Sequence, residues 1–311
     1  MKVLFVTPVY PPETSASAIY SRRFAHMASK EHTVTVACLA NHYIQDDAFA
    51  VQAVKKSLPT AVRLVVMFIK LLRLMLGYDM VIVHEILAVG LPAVIAAKIL
   101  GKDLYIHVPF DEIAMRKRSG SVSKWQKRIT KYVLKNAVQV IVNSPALKKD
   151  LEQIYALSVD KVRLVYDPQV TVLKLPFNLS SIDCVISEND NEVVQVIGSQ
   201  YDTLILEDKS LAERQYLVQS AKVHIVLDDS YRSLLDVYVS LQTGTPVVVL
   251  SEYESLLPSG VVTYVSSVDD LSHVVQDIIS GRGEQSGAVD KFVQENLSWD
   301  YHIQELLSKG L

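Results

Sequence analysis

Val223 to Leu250 reads VHIVLDDSYRSLLDVYVSLQTGTPVVVL. An apolar run, Val223 to Leu227, meets the acidic pair Asp228 and Asp229. A helix-like segment follows from Arg232 to Leu241, and Gly244-Thr245-Pro246 leads into a second apolar run, Val247 to Leu250. The order is strand, loop, helix, turn, strand. In a parallel α/β sheet the loop after the first strand lies at the carboxyl edge, where ligands bind. The helix after it then turns free N–H groups and its positive dipole end toward an anion. An ordinary βαβ unit with no ligand has the same pattern.

The length of 311 residues is enough for two domains, each with its own core. Hydrophobic residues make up 50% and charged residues 21%, the composition of a globular chain. A net charge of -3 argues against nucleic acid bound through overall charge. Cys38 and Cys184 stand in apolar surroundings without CxxC spacing, so they read as buried thiols of a reducing cytoplasm, and no metal site is expected. The chain enters a strand at Lys2 without the apolar region of a signal peptide.

Strands are expected at Lys2–Thr7, Thr33–Leu39, Met80–His84, Asp103–His107 and Gln139–Val142, with helices at about Ala18–Lys30, Ala88–Leu100, Lys124–Asn136 and from Pro145 onward. Two of these strands deliver a histidine, His84 and His107, to the carboxyl edge, and these are candidate catalytic groups. Val54 to Leu76 reads as one helix. Lys56, Arg63 and Lys70 recur every seven residues, with Arg73 three further on, so the charges would form a basic stripe opposite a broad apolar face. It is too interrupted by charge to span a bilayer. A core helix and a helix touching an anionic membrane surface both fit. Later in the chain Val170–Asn178 and Glu192–Ile197 show strand patterns, and Leu211–Ser220 a helical one.

The stretch LLDVYVSLQTGTPVVV resembles the donor-site region of retaining GT-B glycosyltransferases of family 4, where a Glu, seven residues, a second Glu and a Gly-Thr-Pro turn surround the nucleotide sugar. Asp228 and Asp236 keep the seven-residue gap. GKDLYIHVPFDE is similar to the family's strand ending in His-Asp, with His107 and Asp111 in the matching places. LKNAVQVIVNSPALKKDLEQIY, the opening with Pro11-Pro12, and the tail ENLSWDYHIQELL also resemble family segments. Thr14-Ser15-Ala16-Ser17 stands where the family has Gly-Gly, and no Arg and Lys pair occupies the diphosphate-clamp region.

The resemblance implies an α/β chain of two Rossmann-like domains facing across a cleft: residues 1–166 for the acceptor, 167–295 for the donor, and 296–311 a helix returning to the first domain. It implies transfer of a sugar from a UDP- or GDP-linked donor to a saccharide or lipid-linked saccharide, in cell-surface polysaccharide assembly, with no further cofactor. His107, His84 and Asp228 would be catalytic. Arg232, Asp236, Thr243, Gly244 and Thr245 would hold the donor, with Asp236 accepting from the ribose hydroxyls, and Ser15, Ser17, Asp111 and Ser144 would meet the acceptor. The protein would be cytoplasmic, with residues 54–76 placing it at the inner face of a membrane. The altered family positions keep a second reading open, a non-catalytic binding or partner subunit. Another GT-B activity, such as sugar epimerisation, is a third.

Overall fold

The computed structural model describes residues 1–108, 124–168, 182–188, 190–227, 231–250, 257–258, 260–282 and 287–308. The chain divides into two compact units, Met1–Tyr166 with Trp299–Leu311, and Asp167–Ser298. Each is an α/β unit built on its own parallel sheet.

The first unit runs β1 (Lys2–Thr7), α1 (Ala16–Ala28), β2 (Thr33–Leu39), β3 (Ala50–Val54), α2 (Thr60–Met75), β4 (Met80–His84), α3 (Gly90–Leu100), β5 (Leu104–Val108), α4 (Lys124–Asn136), β6 (Gln139–Val142), α5 (Pro145–Tyr155) and β7 (Val162–Leu164). Its seven strands lie in the order β3-β2-β1-β4-β5-β6-β7, all parallel. Their near-continuous apolar runs suit strands covered on both faces. Ser15 caps α1 by accepting from Ala18 N, and Ser144 caps α5 with Pro145 behind it. Gly101, at φ 61°, ends α3 in the left-handed conformation that glycine adopts without a Cβ penalty.

The second unit runs β8 (Ile182–Ile186), α6 (Asn191–Gly198), β9 (Thr203–Ile205), α7 (Leu211–Ser220), β10 (Ala221–Val226), α8 (Tyr231–Thr243), β11 (Val247–Leu250), β12 (Thr263–Val265), α9 (Val268–Ile279) and α10 (Gly287–Asn296), in strand order β12-β11-β10-β8-β9. Ser210 and Glu213 close a reciprocal capping box on α7. The last helix, α11 (Trp299–Leu307), belongs to the first unit. It packs on α1, and Ile303, Leu306 and Leu307 enter one core with Phe5 and Phe24. Arg163 of β7 donates to Ser308 Oγ at 2.9 Å and to the Glu305 carbonyl.

Two expectations need correction. Val54–Leu76 is not one helix: β3 ends at Val54, and the helix starts only after Pro59, whose ring fits a helix entrance and not its interior. Glu192–Ile197 is not a strand but most of α6. Asp190 caps its first turn, and Val193 and Ile197, one turn apart, fill one core stripe, so tertiary packing overrides β-branched propensity. The expected strand at Val170–Asn178 lies outside the described residues.

Candidate functional site

Each sheet has one place where the chain order reverses, and there the carboxyl ends of adjacent strands leave a crevice. In the first unit it falls between β1 and β4. Thr7 ends β1, and its hydroxyl meets Ser21 Oγ at 3.0 Å. His84 ends β4. Glu85 follows at φ 74°, a left-handed conformation uncommon for a residue with a Cβ and frequent at functional sites. The β1–α1 and β2–β3 loops and α1 line an open pocket of about 590 Å³, with Pro11, Pro12, Ile19, Ile44, Arg22 and Arg23 among its residues. That volume suits a small molecule. Glu13, on its wall, is held by Lys56 Nζ at 2.9 Å to both oxygens, and Asp46 faces Arg22 at 3.4 Å.

His84 and His107 are brought together, but not as expected. They are paired in register on β4 and β5, with Nδ1 to Nδ1 at 3.0 Å. One ring must donate and the other accept. Their exposures are 2% and 0%, under Tyr20, whose ring centroid lies 4.9 and 5.2 Å from theirs. Tyr20 Oη bonds His302 Nε2 at 2.7 Å, and His302 Nδ1 donates to the Tyr166 carbonyl at 2.8 Å. The histidines, expected as catalytic groups at the carboxyl edge, therefore belong to a buried aromatic stack that fastens α11 to α1. Sequence reasoning missed Tyr20 and His302, whose partners are distant in the chain.

Ser15 is exposed at the helix entrance, and the Ser17 carbonyl accepts from Ser21 Oγ at 2.7 Å. Ser144 is buried, its hydroxyl accepting from Leu147 N, so a helix cap replaces the acceptor contact expected of it. Asp111 and Asp228 lie outside the described residues. The stripe expected on residues 54–76 does not form. Lys56 lies in the loop against Glu13, Arg63 donates to Lys56 O at 2.8 Å, and Lys70 donates to Ala53 O at 2.9 Å, while Val62, Val65, Val66 and Ile69 face outward.

In the second unit the reversal falls between β8 and β10. Ser187, just past β8, accepts from Leu227 N at 2.9 Å, joining the two carboxyl ends. Two helices, α6 and α8, start at this edge. Asp190 takes the Glu192 and Val193 N–H groups at the start of α6. α8 turns its N-terminus to the same edge and carries Arg232 in its first turn; the Arg232 side chain lies outside the described residues. Ser187 escaped sequence reasoning because β8 did.

Asp236 is 0% exposed, and its Oδ2 accepts from Arg214 Nε at 2.7 Å and from Nη2. Arg214 also donates to the Leu206 carbonyl. The carboxylate expected to meet ribose hydroxyls is thus spent on a buried ion pair between α7 and α8. The Thr243-Gly244-Thr245 turn is also displaced from its expected role. α8 runs about 20 Å from the carboxyl edge to the opposite edge. There Gly244, at φ 78°, ends it, and Thr245 Oγ1 donates to Val218 O at 3.1 Å.

Among the described residues no helix is long and apolar enough to cross a membrane, and no cluster of metal-ligating side chains occurs. The profile of Glycosyltransferase Family 4 matches residues 20–168. No curated protein sequence matches the chain. Among solved structures, sucrose-phosphate synthase from Thermosynechococcus elongatus is similar at TM-score 0.64 and 13% identity, covering 98% of this chain and 97% of that one. HepE from Anabaena in complex with UDP is similar at TM-score 0.60 and 13% identity, over 99% and 95% of the two chains. UDP-GlcNAc 2-epimerase from Methanocaldococcus jannaschii reaches TM-score 0.53 at 12% identity, over 94% and 99%.

Proposed function

From a chain of GT-B fold whose residues 20–168 match Glycosyltransferase Family 4, we propose a glycosyltransferase that moves a sugar, with retention of configuration, from a UDP- or GDP-linked donor to a saccharide or lipid-linked saccharide. The pathway would be cell-surface polysaccharide assembly, at the cytoplasmic face of a membrane, with residues 54–76 against anionic lipid and no metal or further cofactor. The observation that carries this reading is likeness over 99% of the chain to HepE, whose structure holds UDP.

The donor's nucleotide binds the second unit at the β8/β10 reversal. Its diphosphate lies on the N-terminus of α8, where peptide N–H groups and Arg232 stabilise the charge that the leaving group acquires. Asp228, which precedes α8 in the sequence, serves the reacting sugar. The acceptor enters the first unit beside Ser15 and Ser17, at the pocket lined by Pro11, Pro12 and Arg22. Asp236 is left out of the donor contacts because Arg214 holds it.

Calorimetry with UDP and GDP tests this reading. The wild type is expected to bind one of them, and Arg232→Gln to weaken that binding roughly tenfold to a hundredfold, as loss of a charge-assisted hydrogen bond does. Binding of neither nucleotide by the wild type supports the second reading, a non-catalytic partner subunit, which the burial of Asp236 and of both edge histidines favours.

A further inference from the structure

A second pocket lies at the opposite edge of the first sheet. It is an open space of about 540 Å³ between the last turn of α1 and one side of α11. Met1, which precedes β1, and His32, which precedes β2, mark the amino edge. The length of β1 separates it from Thr7 and the crevice by about 20 Å. It shares no lining residue with the pocket around Pro11 and Arg22, and nothing in the proposed transfer uses it.

Asp300, Ile303, Gln304, Leu307 and Ser308 are spaced i, i+3, i+4, i+7 and i+8, so α11 gives the pocket one stripe along its length. Within that stripe Ile303 and Leu307 belong to the core that Met27 packs against, and these three side chains form an apolar floor. Polar groups stand around it. Ser308 is occupied, accepting from Arg163 and donating to the Glu305 carbonyl. Lys30 of α1, Glu31 and His32 of the following turn, and Asp300 and Gln304 of α11 are not. Among the described residues their side chains make no hydrogen bond or ion pair. In the other pocket, by contrast, Lys56 holds Glu13 and Arg22 faces Asp46. His32 Nδ1 is buried, so Nε2 is the ring atom left to a ligand.

We infer that this pocket is a binding site for a neutral saccharide, separate from the reacting centre. Two carboxylates beside one ammonium, with the carbonyl ends of α1 and α11 close by, disfavour an anion. Lys30 disfavours a cation. A sugar matches each part: its hydroxyls donate to Glu31 and Asp300 and accept from Lys30 and Gln304, while its C–H face lies on Met27, Ile303 and Leu307. The match to a neutral polyhydroxylated ligand stands on the side chains alone; that the ligand is a saccharide rests on the glycosyltransferase reading above. A saccharide chain long enough to span both edges gains a second attachment to the same molecule, which raises its effective concentration at the acceptor pocket.

The test is methyl NMR of the full chain, labelled at Ile δ1 and Met ε, titrated with maltotriose, cellotriose, chitotriose and mannotriose, and with trigalacturonic acid as an acidic probe. At least one neutral trisaccharide is expected to shift Met27 and Ile303, and the acidic one to leave them in place. Asp300→Asn with Gln304→Ala, at exposed positions, is expected to raise that dissociation constant roughly tenfold or more, as loss of hydrogen bonds involving a charged group does. His32→Gln is expected to weaken binding as well. The proposal is overturned if no neutral probe shifts Met27 and Ile303, if only Ile19 and Ile44 of the other pocket respond, if the acidic probe binds better, or if the Asp300/Gln304 variant binds as tightly as the wild type. The two readings fail separately. UDP or GDP binding without a saccharide at the amino edge leaves the transferase standing and removes this site. A saccharide held here by a chain that binds neither nucleotide keeps the site and assigns it to a binding subunit.

Discussion

Asp236 and Arg214 illustrate how much one side chain's surroundings decide. Both are essentially out of water, so the pair persists only because each satisfies the other. Asp236→Ala is expected to cost the second unit about 3–5 kcal/mol in urea unfolding, by leaving a buried guanidinium uncompensated. A ribose contact would cost nucleotide affinity with little change in stability. The two cysteines make a pH prediction. Burial pushes both thiols up to about 12 from an ordinary value near 9. Folding therefore favours the protonated thiol: that contribution is full below about pH 9 and is lost as pH rises toward 12. Urea midpoints followed through this window should fall less in a Cys38→Ala, Cys184→Ala variant than in the wild type. At neutral pH both thiols should react with a maleimide only after unfolding.

At the scale of an element, α2 is the one whose orientation matters most. Met67, Leu71 and Met75 are its buried stripe, and Ile69 lies on the outer side. Leu71→Ala is expected to destabilise the protein by about 2–5 kcal/mol, and Ile69→Ala by no more than about 0.5 kcal/mol. Comparable losses at the two positions would put the wrong side of the helix inside. Amphipathicity was legible in the sequence here, but its direction was not. Spacing gave Arg63, Lys70 and Arg73 one face, yet the first two reach back to carbonyls of the preceding segment, a choice made by tertiary contacts. The element boundary could have been read from Pro59. In α6 the residues that decide are Asp190 and the Val193–Ile197 pair, and β-branched content masked them.

For the molecule as a whole, the alternation of apolar runs and helical stretches was enough to read two α/β units. Parallel strands buried on both faces leave a strong, short-range signature. The site was less legible, because it depends on which strand lies beside which. His84 and His107 do end up as neighbours at a carboxyl edge, yet Tyr20 and His302, more than 200 residues apart, close over them. The Gly-Thr-Pro turn carries part of the family resemblance, but helix length takes it to the edge of the sheet away from the crevice. Ser187 and Glu85 are found only once the strand order shows where each sheet reverses.

The membership of α11 in the first unit has a consequence for biosynthesis. The last strand of that unit ends at Leu164, but the helix that covers Phe5, Tyr20 and Phe24 begins at Trp299. A ribosome adding about 5–20 residues per second needs roughly ten seconds to make the interval. For that time the emerging first unit has its sheet and α1 but not α11, and an apolar face stands open while the second unit is translated. The second unit, contiguous from Asp167 to Ser298, has no such wait. The order of synthesis is therefore not the order of completion: the unit begun first is finished last, and nascent chains need a chaperone most during the translation of residues 167–298.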